Sequence, residues 1–330
     1  MIAVITSYCM IVFWHQENPY NRVRVEVPEG AGLSSISNLL VDQKIIRNQK
    51  SFLLAARFLG QERNIPAGIF SLRNAESNYS IIQQLIQGVP NVVSVTIIEG
   101  LTIPDIAAEF ATTLGLDQDK FIALCHDSAF IKTLNLPVNT NLEGFLYPET
   151  YRFFESQNEN EVIIRLVDEY KKDFSELMKE SQTKIGLSEL EVITMASIIE
   201  GEVIYDEERL IVSAVYHNRL KKRMRLQADP TIQYIIDGPP RRLLTRDLEL
   251  KSPYNTYRNY GLPIGPINNP GRQSILAALN PAEVDYLYFV AKGDGFHTFS
   301  RTQKEHNRAK RQFQRVRWNV ARERRKNNQG

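Results

Sequence analysis

Glu200 and Glu202 close the segment 188–202, SELEVITMASIIEGE, in a chain of 330 residues. Val192, Met195, Ala196 and Ile199 recur at helical spacing, and Ile193 and Ile198 make that helix apolar nearly all round, the pattern of a buried helix. Ser188 with Glu191 three residues on has the spacing of a capping box. Glu200 follows directly on the apolar run. A carboxylate that leans on apolar surface has its charged form disfavoured and its pKa raised, which is how a glutamic acid is kept protonated for general-acid work. A solvated carboxylate at a helix end is the more ordinary reading, and the residues alone favour it. Glu202, two positions on, faces elsewhere on a helix and suits a supporting role.

Other chemistries find little support. His15, His126, His217, His297 and His306 are scattered, with no metal-ligand spacing. There is no phosphate-binding loop, no dinucleotide fingerprint and no Gly-x-Ser-x-Gly elbow. Cys9 and Cys125 are the two cysteines, too few for a disulfide framework or a cysteine-based zinc site. The Leu-Cys-His setting of Cys125 is that of a core cysteine more often than of a nucleophile. No metal and no cofactor are expected, and carboxylate acid–base chemistry remains. The net charge of +2 hides an asymmetry. Residues 301–330 hold eleven Lys/Arg against Glu305 and Glu323, so the rest of the chain is acidic. That tail could meet phosphates, but only Phe313 and Trp318 interleave it, and a solvated basic helix is the better reading.

The elements that must position Glu200 are legible in outline. Residues 1–14 carry no charge. They are short of the roughly 20 apolar residues of a span and lack the basic flank of a signal peptide. A membrane anchor with a late-assigned start leads over an uncleaved signal or a buried strand. Residues 22–27 alternate as a half-buried strand, and 34–42 reads as a helix capped by its serines. A second helix at 50–60, a strand at 67–72 and a helix at 80–88 complete a small β-α-α-β-α unit. Its order of elements is similar to a LysM-like module, a fold that holds N-acetylated sugars; a plain spacer domain fits equally. Pro90-Asn91 marks a boundary. Beyond it come a strand at 92–98, a turn at 99–102, helices at 103–112, 120–125 and 130–134, and an aromatic-rich stretch at 141–154. Amphipathic helices follow at 162–180 and 209–224, and a short helix or strand at 231–236. Residues 252–271 form a long loop with Tyr254, Tyr257 and Tyr260, of a length usually functional or disordered. Residues 285–300 read as a hairpin turned by Asp-Gly, with a structural His297, and 305–325 as the basic helix.

Several blocks taken together resemble the YceG-like family of endolytic murein transglycosylases. They are Glu143–Tyr151 (EGFLYPETY), 196–202 (ASIIEGE), 215–220 (VYHNRL), 224–231 (MRLQADPT), 254–257 (YNTY), 261–267 (GLPIGPI) and 287–290 (LYFV). Each is weak alone; their order makes the resemblance specific from about 143 to 307. It implies an α+β protein in three parts: an anchor at 1–14, a LysM-like module at 22–89 and a mixed α+β catalytic domain at 92–330. It implies a lyase that cuts the β-1,4 bond between N-acetylmuramic acid and N-acetylglucosamine in nascent glycan strands, leaving 1,6-anhydro ends. The family's catalytic glutamate maps onto Glu200.

The same resemblance implies single-pass insertion in the cytoplasmic membrane with the catalytic domain outside. Glycan strands and the membrane are the implied partners, with peptidoglycan synthases as further candidates and no nucleic acid. Glu143, Tyr147, Gln227, Asp229, Thr231, Asn255, Tyr257 and Gly265 are the expected substrate-binding residues. One carboxyl can serve as acid and then base, because the muramyl C6 hydroxyl attacks intramolecularly. Asp229, Glu202 and Glu143 are the possible second carboxylates. Gly201 stands where relatives often carry a polar residue, a departure expected to loosen the helix end. The rival reading is a non-catalytic peptidoglycan-binding protein that relies on the LysM-like unit.

Overall fold

The structure is a computed structural model that describes residues 22–73, 77–87, 92–138, 140–154 and 157–327. The expected anchor lies outside them. Among the described residues no helix is long and apolar enough to cross a membrane. The fold is mixed α+β, with twelve α-helices and three two-stranded sheets among those residues. The chain divides into two compact units, one running to Val95 and taking in Tyr151–Asn158, the other made of Thr96–Thr150 and Glu159 onward.

In the first unit, β1 (Arg22–Val27) pairs antiparallel with β2 (Gly68–Arg73), with Val23 opposite Leu72 and Val25 opposite Phe70. The period-two alternation turns Val25, Val27, Phe70 and Leu72 to one buried face. Helices α1 (Leu33–Asp42), α2 (Gln49–Phe58) and α3 (Asn78–Gln87) cover it with Ile36, Leu40, Phe52, Ala55, Ile81, Ile82 and Leu85. The β-α-α-β-α order is as the sequence predicts. The serine cap is not: Gly32 is the N-cap of α1, and the Ser37 hydroxyl instead donates to the Ser34 carbonyl at 2.8 Å. Asn48 does cap α2, accepting the Ser51 N–H at 3.1 Å. Strand β3 (Val92–Thr96) pairs with β4 (Thr150–Phe154); along the chain the first unit is left at the end of β3 and re-entered at the start of β4.

The second unit begins its helices with α4 (Ile103–Leu114), α5 (Gln118–His126) and α6 (Ser128–Thr133). The Asp105 carboxylate accepts the Thr102 N–H at 3.0 Å and closes the start of α4. The long α7 (Glu159–Ile185) lies against α8 (Glu189–Glu202), whose residues Val192 to Ile199 are all buried. The predicted capping box is present: Ser188 N–H donates to Glu191 at 2.8 Å, and Glu191 N–H to the Ser188 hydroxyl at 3.3 Å.

Around α8 pack α9 (Asp206–Lys221), α10 (Asp229–Ile235) and α11 (Arg272–Leu279). Phe145, Tyr170, Phe174, Tyr216 and Ile275 join the same core. Strands β5 (Tyr288–Ala291) and β6 (His297–Ser300) form the hairpin, with Gly293 and Gly295 at positive φ in its turn. The first strand starts three residues later than the sequence predicts. Asn218 and Arg219 engage the carbonyls of Val284, Tyr286 and Leu287, which are thereby kept out of a ladder. His297 binds the Glu208 carboxylate through its backbone N–H and its ring at 2.9 and 2.7 Å. Helix α12 (Gln303–Asn327) is the basic helix.

Candidate active site

Glu200 stands in the last turn of α8, where the buried core ends. Its side chain is 8% exposed, but its surroundings are not the apolar wall its neighbours in sequence predict. Arg209, one turn into α9, donates Nη1 to Glu200 Oε1 at 3.1 Å, and the Gly271 N–H donates to Oε2 at 3.0 Å. Arg209 is held from two other sides, by Asp206 at 2.7 Å and by the buried hydroxyl of Ser274 in α11. Both oxygens of Glu200 are therefore fixed. Breaking a buried ion pair by removing one partner costs about 3–5 kcal/mol, so α8, α9 and the start of α11 are tied together at this carboxylate.

A loop clamp brings a further carboxyl to the same place. Gly100 N–H donates to the Asn269 carbonyl at 2.8 Å, and Asn269 N–H to the Leu101 carbonyl at 2.9 Å. The Asn269 side chain accepts the N–H groups of Gly144 and Leu146 at 3.0 and 2.9 Å and donates to Leu101 and Glu143. This register lays Glu99 on Gly271 so closely that a Cβ there would sit 1.9 Å from the Glu99 carboxyl carbon. Glu99 is a carboxyl at this place that sequence reasoning did not single out. It lies in a Glu-Gly turn whose local signal is only that of a turn.

A cavity of about 1020 Å³ opens at Gly100 and Gly201, with Glu143, Asp229, Gln233 and Asn268 among its walls. A second, of about 540 Å³, is lined by Gln227, Asp229, Tyr257 and Arg219. Glu202 and Asp229 face both. As the two-residue spacing predicts, Glu202 leaves Glu200 and turns to the Arg219 and Asp229 side. Burial and then the Asp229 charge push its carboxyl up to about 8, and its Oε2 has no hydrogen-bond partner. The Tyr257 hydroxyl donates to Asp229.

Four of the expected substrate-binding residues thus line cavities: Glu143, Gln227, Asp229 and Tyr257. Glu143 is 2% exposed and accepts the Ile103 N–H at 3.1 Å as well as the Asn269 amide, so it also builds the wall. Burial pushes its carboxyl up to about 8. The other four lie elsewhere. Asn255 is fully buried and spends its amide on the carbonyls of Leu248 and Leu250 and its oxygen on the Tyr257 N–H. The buried Thr231 hydroxyl donates to the Ala228 carbonyl, 2.7 Å away, and lies 2.9 Å from the Thr256 hydroxyl. Tyr147 packs edge-on against Phe174 in the core, and Gly265 packs beneath the Tyr254 hydroxyl.

Gly201 does not loosen the helix. α8 continues through Glu202, and Gly201 presses on Pro230, which a Cβ would meet at 2.7 Å. Cys125 is a core residue: it is fully buried, and burial pushes its thiol far up. Among the described residues no cluster of His, Cys, Asp and Glu could hold a metal ion.

Residues 25–312 match the YceG-like family. An endolytic murein transglycosylase of Bacillus subtilis (strain 168) is 35% identical over 305 residues, which cover 88% of this chain and 84% of that protein. The protein of that name from Streptococcus pneumoniae serotype 2 is 28% identical over 322 residues, covering 88% of this chain and 58% of its own greater length. A crystal structure of a yceG-like protein from Listeria monocytogenes superposes with a TM-score of 0.61 at 33% identity, covering 87% of this chain and 98% of that one. A match over most of the chain, with a relative above 30% identity along nearly its whole length, makes this protein a member of the YceG-like family.

Proposed function

We propose that this protein is an endolytic lytic transglycosylase of the cell envelope. It cuts the β-1,4 bond between N-acetylmuramic acid and N-acetylglucosamine of peptidoglycan and leaves 1,6-anhydro ends, which terminates glycan elongation. The observation that carries the reading is Glu200: in a family member, one glutamate ends a buried helix with both oxygens held, beside a cavity in the size class of small-ligand sites. Glu200 is the carboxyl on which the attack of the muramyl C6 hydroxyl turns. Ordinary glycosidases need two carboxylates, one of them for water or for nucleophilic attack. Here the attacking hydroxyl belongs to the substrate, which makes the step effectively unimolecular. The glycan lies along the walls formed by Glu143, Gln227, Asp229 and Tyr257. The LysM-like module, residues 22–89, holds the strand. Residues 1–14 anchor the chain in the cytoplasmic membrane, where peptidoglycan synthases are its partners.

Glu200→Gln tests the assignment. Purified glycan strands are incubated with each protein and their muropeptides are analysed by mass spectrometry. The wild type is expected to yield anhydro-muramyl ends. The variant, which keeps the shape and loses the proton chemistry, is expected to yield about 10²- to 10⁴-fold fewer. Equal yields from the two proteins, or none from the wild type, would sink the proposal and favour a non-catalytic glycan-binding role.

A further inference from the structure

Glu99 belongs to no role described so far, yet it and Glu200 meet at one residue. The Gly271 N–H binds Glu200, and the bare Gly271 Cα receives the Glu99 carboxyl. On the other side, Gly100 stands against the Glu200 Cγ, 3.6 Å from an added Cβ. The two carboxyls are unlike. Glu200 is withdrawn and accepts from Arg209 and from a backbone N–H. Glu99 is exposed and has neither partner. Burial of its carboxyl end and the neighbouring Glu200 push its proton affinity up; Asp206 adds to this and Arg209 opposes it. A like charge close by disfavours the ionised form of a carboxyl. Asn268, 6% exposed, lines the cavity at Gly100 and Gly201, and its buried Oδ1 has no partner.

We propose that Glu99 is a second catalytic residue, delivering the proton to the glycosidic oxygen while Glu200 takes the proton of the muramyl C6 hydroxyl. The proposal rests on the transglycosylase reading above. The bond from muramyl C1 to the glycosidic oxygen breaks, and its electron pair stays with that oxygen, which receives the Glu99 proton. The C6 oxygen bonds to C1, and its proton passes to Glu200. Glu99 is then a carboxylate and Glu200 an acid. Return of that proton to Glu99, directly or through the solvent to which Glu99 is open, restores the pair with no other reactant.

The test compares the full-length wild type, Glu99→Gln and Glu200→Gln for kcat/KM against pH on glycan strands, with melting temperatures as the check on folding. An acid that must be protonated gives a loss of activity as pH rises, and a base that must be ionised gives a loss as pH falls. Glu99→Gln is expected to melt like the wild type, to lose about 10²- to 10³-fold in rate and to lack the fall at high pH. A muramyl glycoside with an aryl leaving group, which departs without a proton, is expected to restore Glu99→Gln and not Glu200→Gln. Glu99→Asp, an acid one methylene short, is expected to keep the high-pH fall at a reduced rate, and it decides the matter if the Gln variant does not fold. A wild-type rate in Glu99→Gln, or a loss that the aryl leaving group does not restore, overturns the proposal. If Glu200→Gln is fully active, the reading beneath it fails instead, whatever Glu99 does.

Discussion

Glu143 shows at the scale of one residue how position changes what a carboxyl does. Its ordinary value is 4.5, and burial in the fold pushes it up to about 8. Between those values the folded protein holds a proton that the unfolded chain has released, so stability falls as pH rises through that window and is level above it. Glu143→Gln carries no such proton. Its melting temperature, set against the wild type, is therefore expected to climb from pH 4 to pH 8 and then stay level. A difference that does not change with pH would mean that Glu143 is ionised in the fold. Residue types predict the polar inventory well, but not where each group spends its bonds. Asn255 and Thr231 are used up inside their own loop and helix end, because buried backbone carbonyls must be paired.

At the scale of elements, the end of α8 is set by contact rather than by propensity. Gly in a helix interior costs about 1 kcal/mol against Ala, so Gly201→Ala would stabilise an isolated helix. Here the new Cβ would meet Pro230 at 2.7 Å, and overpacking costs about 1–3 kcal/mol. The ring of Pro230 cannot swing aside, so the second effect wins. Gly201→Ala is expected to lower the melting temperature, and a rise would show that Pro230 yields. The capping box that starts α8 was legible because it is local, four residues closing on themselves. Pro230 against Gly201 was not, since the two are far apart in sequence.

At the scale of the whole molecule, each unit has a hydrophobic core of its own. Deleting residues 1–89 is expected to leave Glu99, Glu200 and Arg209 as they are, and to remove one calorimetric transition while another remains. On soluble glycan strands the shortened protein is expected to show a raised KM with kcat little changed, if the first unit holds the strand. An unchanged KM would make that unit a spacer.

What the sequence determined by itself was what local rules govern. The order of elements, the buried helix that carries Glu200, its capping box and the hairpin turn all follow from periodicity, caps and turn chemistry within a few residues. The family blocks extended this to an activity. What only the tertiary structure decided was the environment of the carboxyls. Arg209 and the Gly271 N–H reach Glu200, and the register between the loops at 99–102 and 267–271 lays Glu99 on Gly271. Desolvation and charge act through space, so burial and a glutamate more than 100 residues away in the chain raise the proton affinity of Glu99.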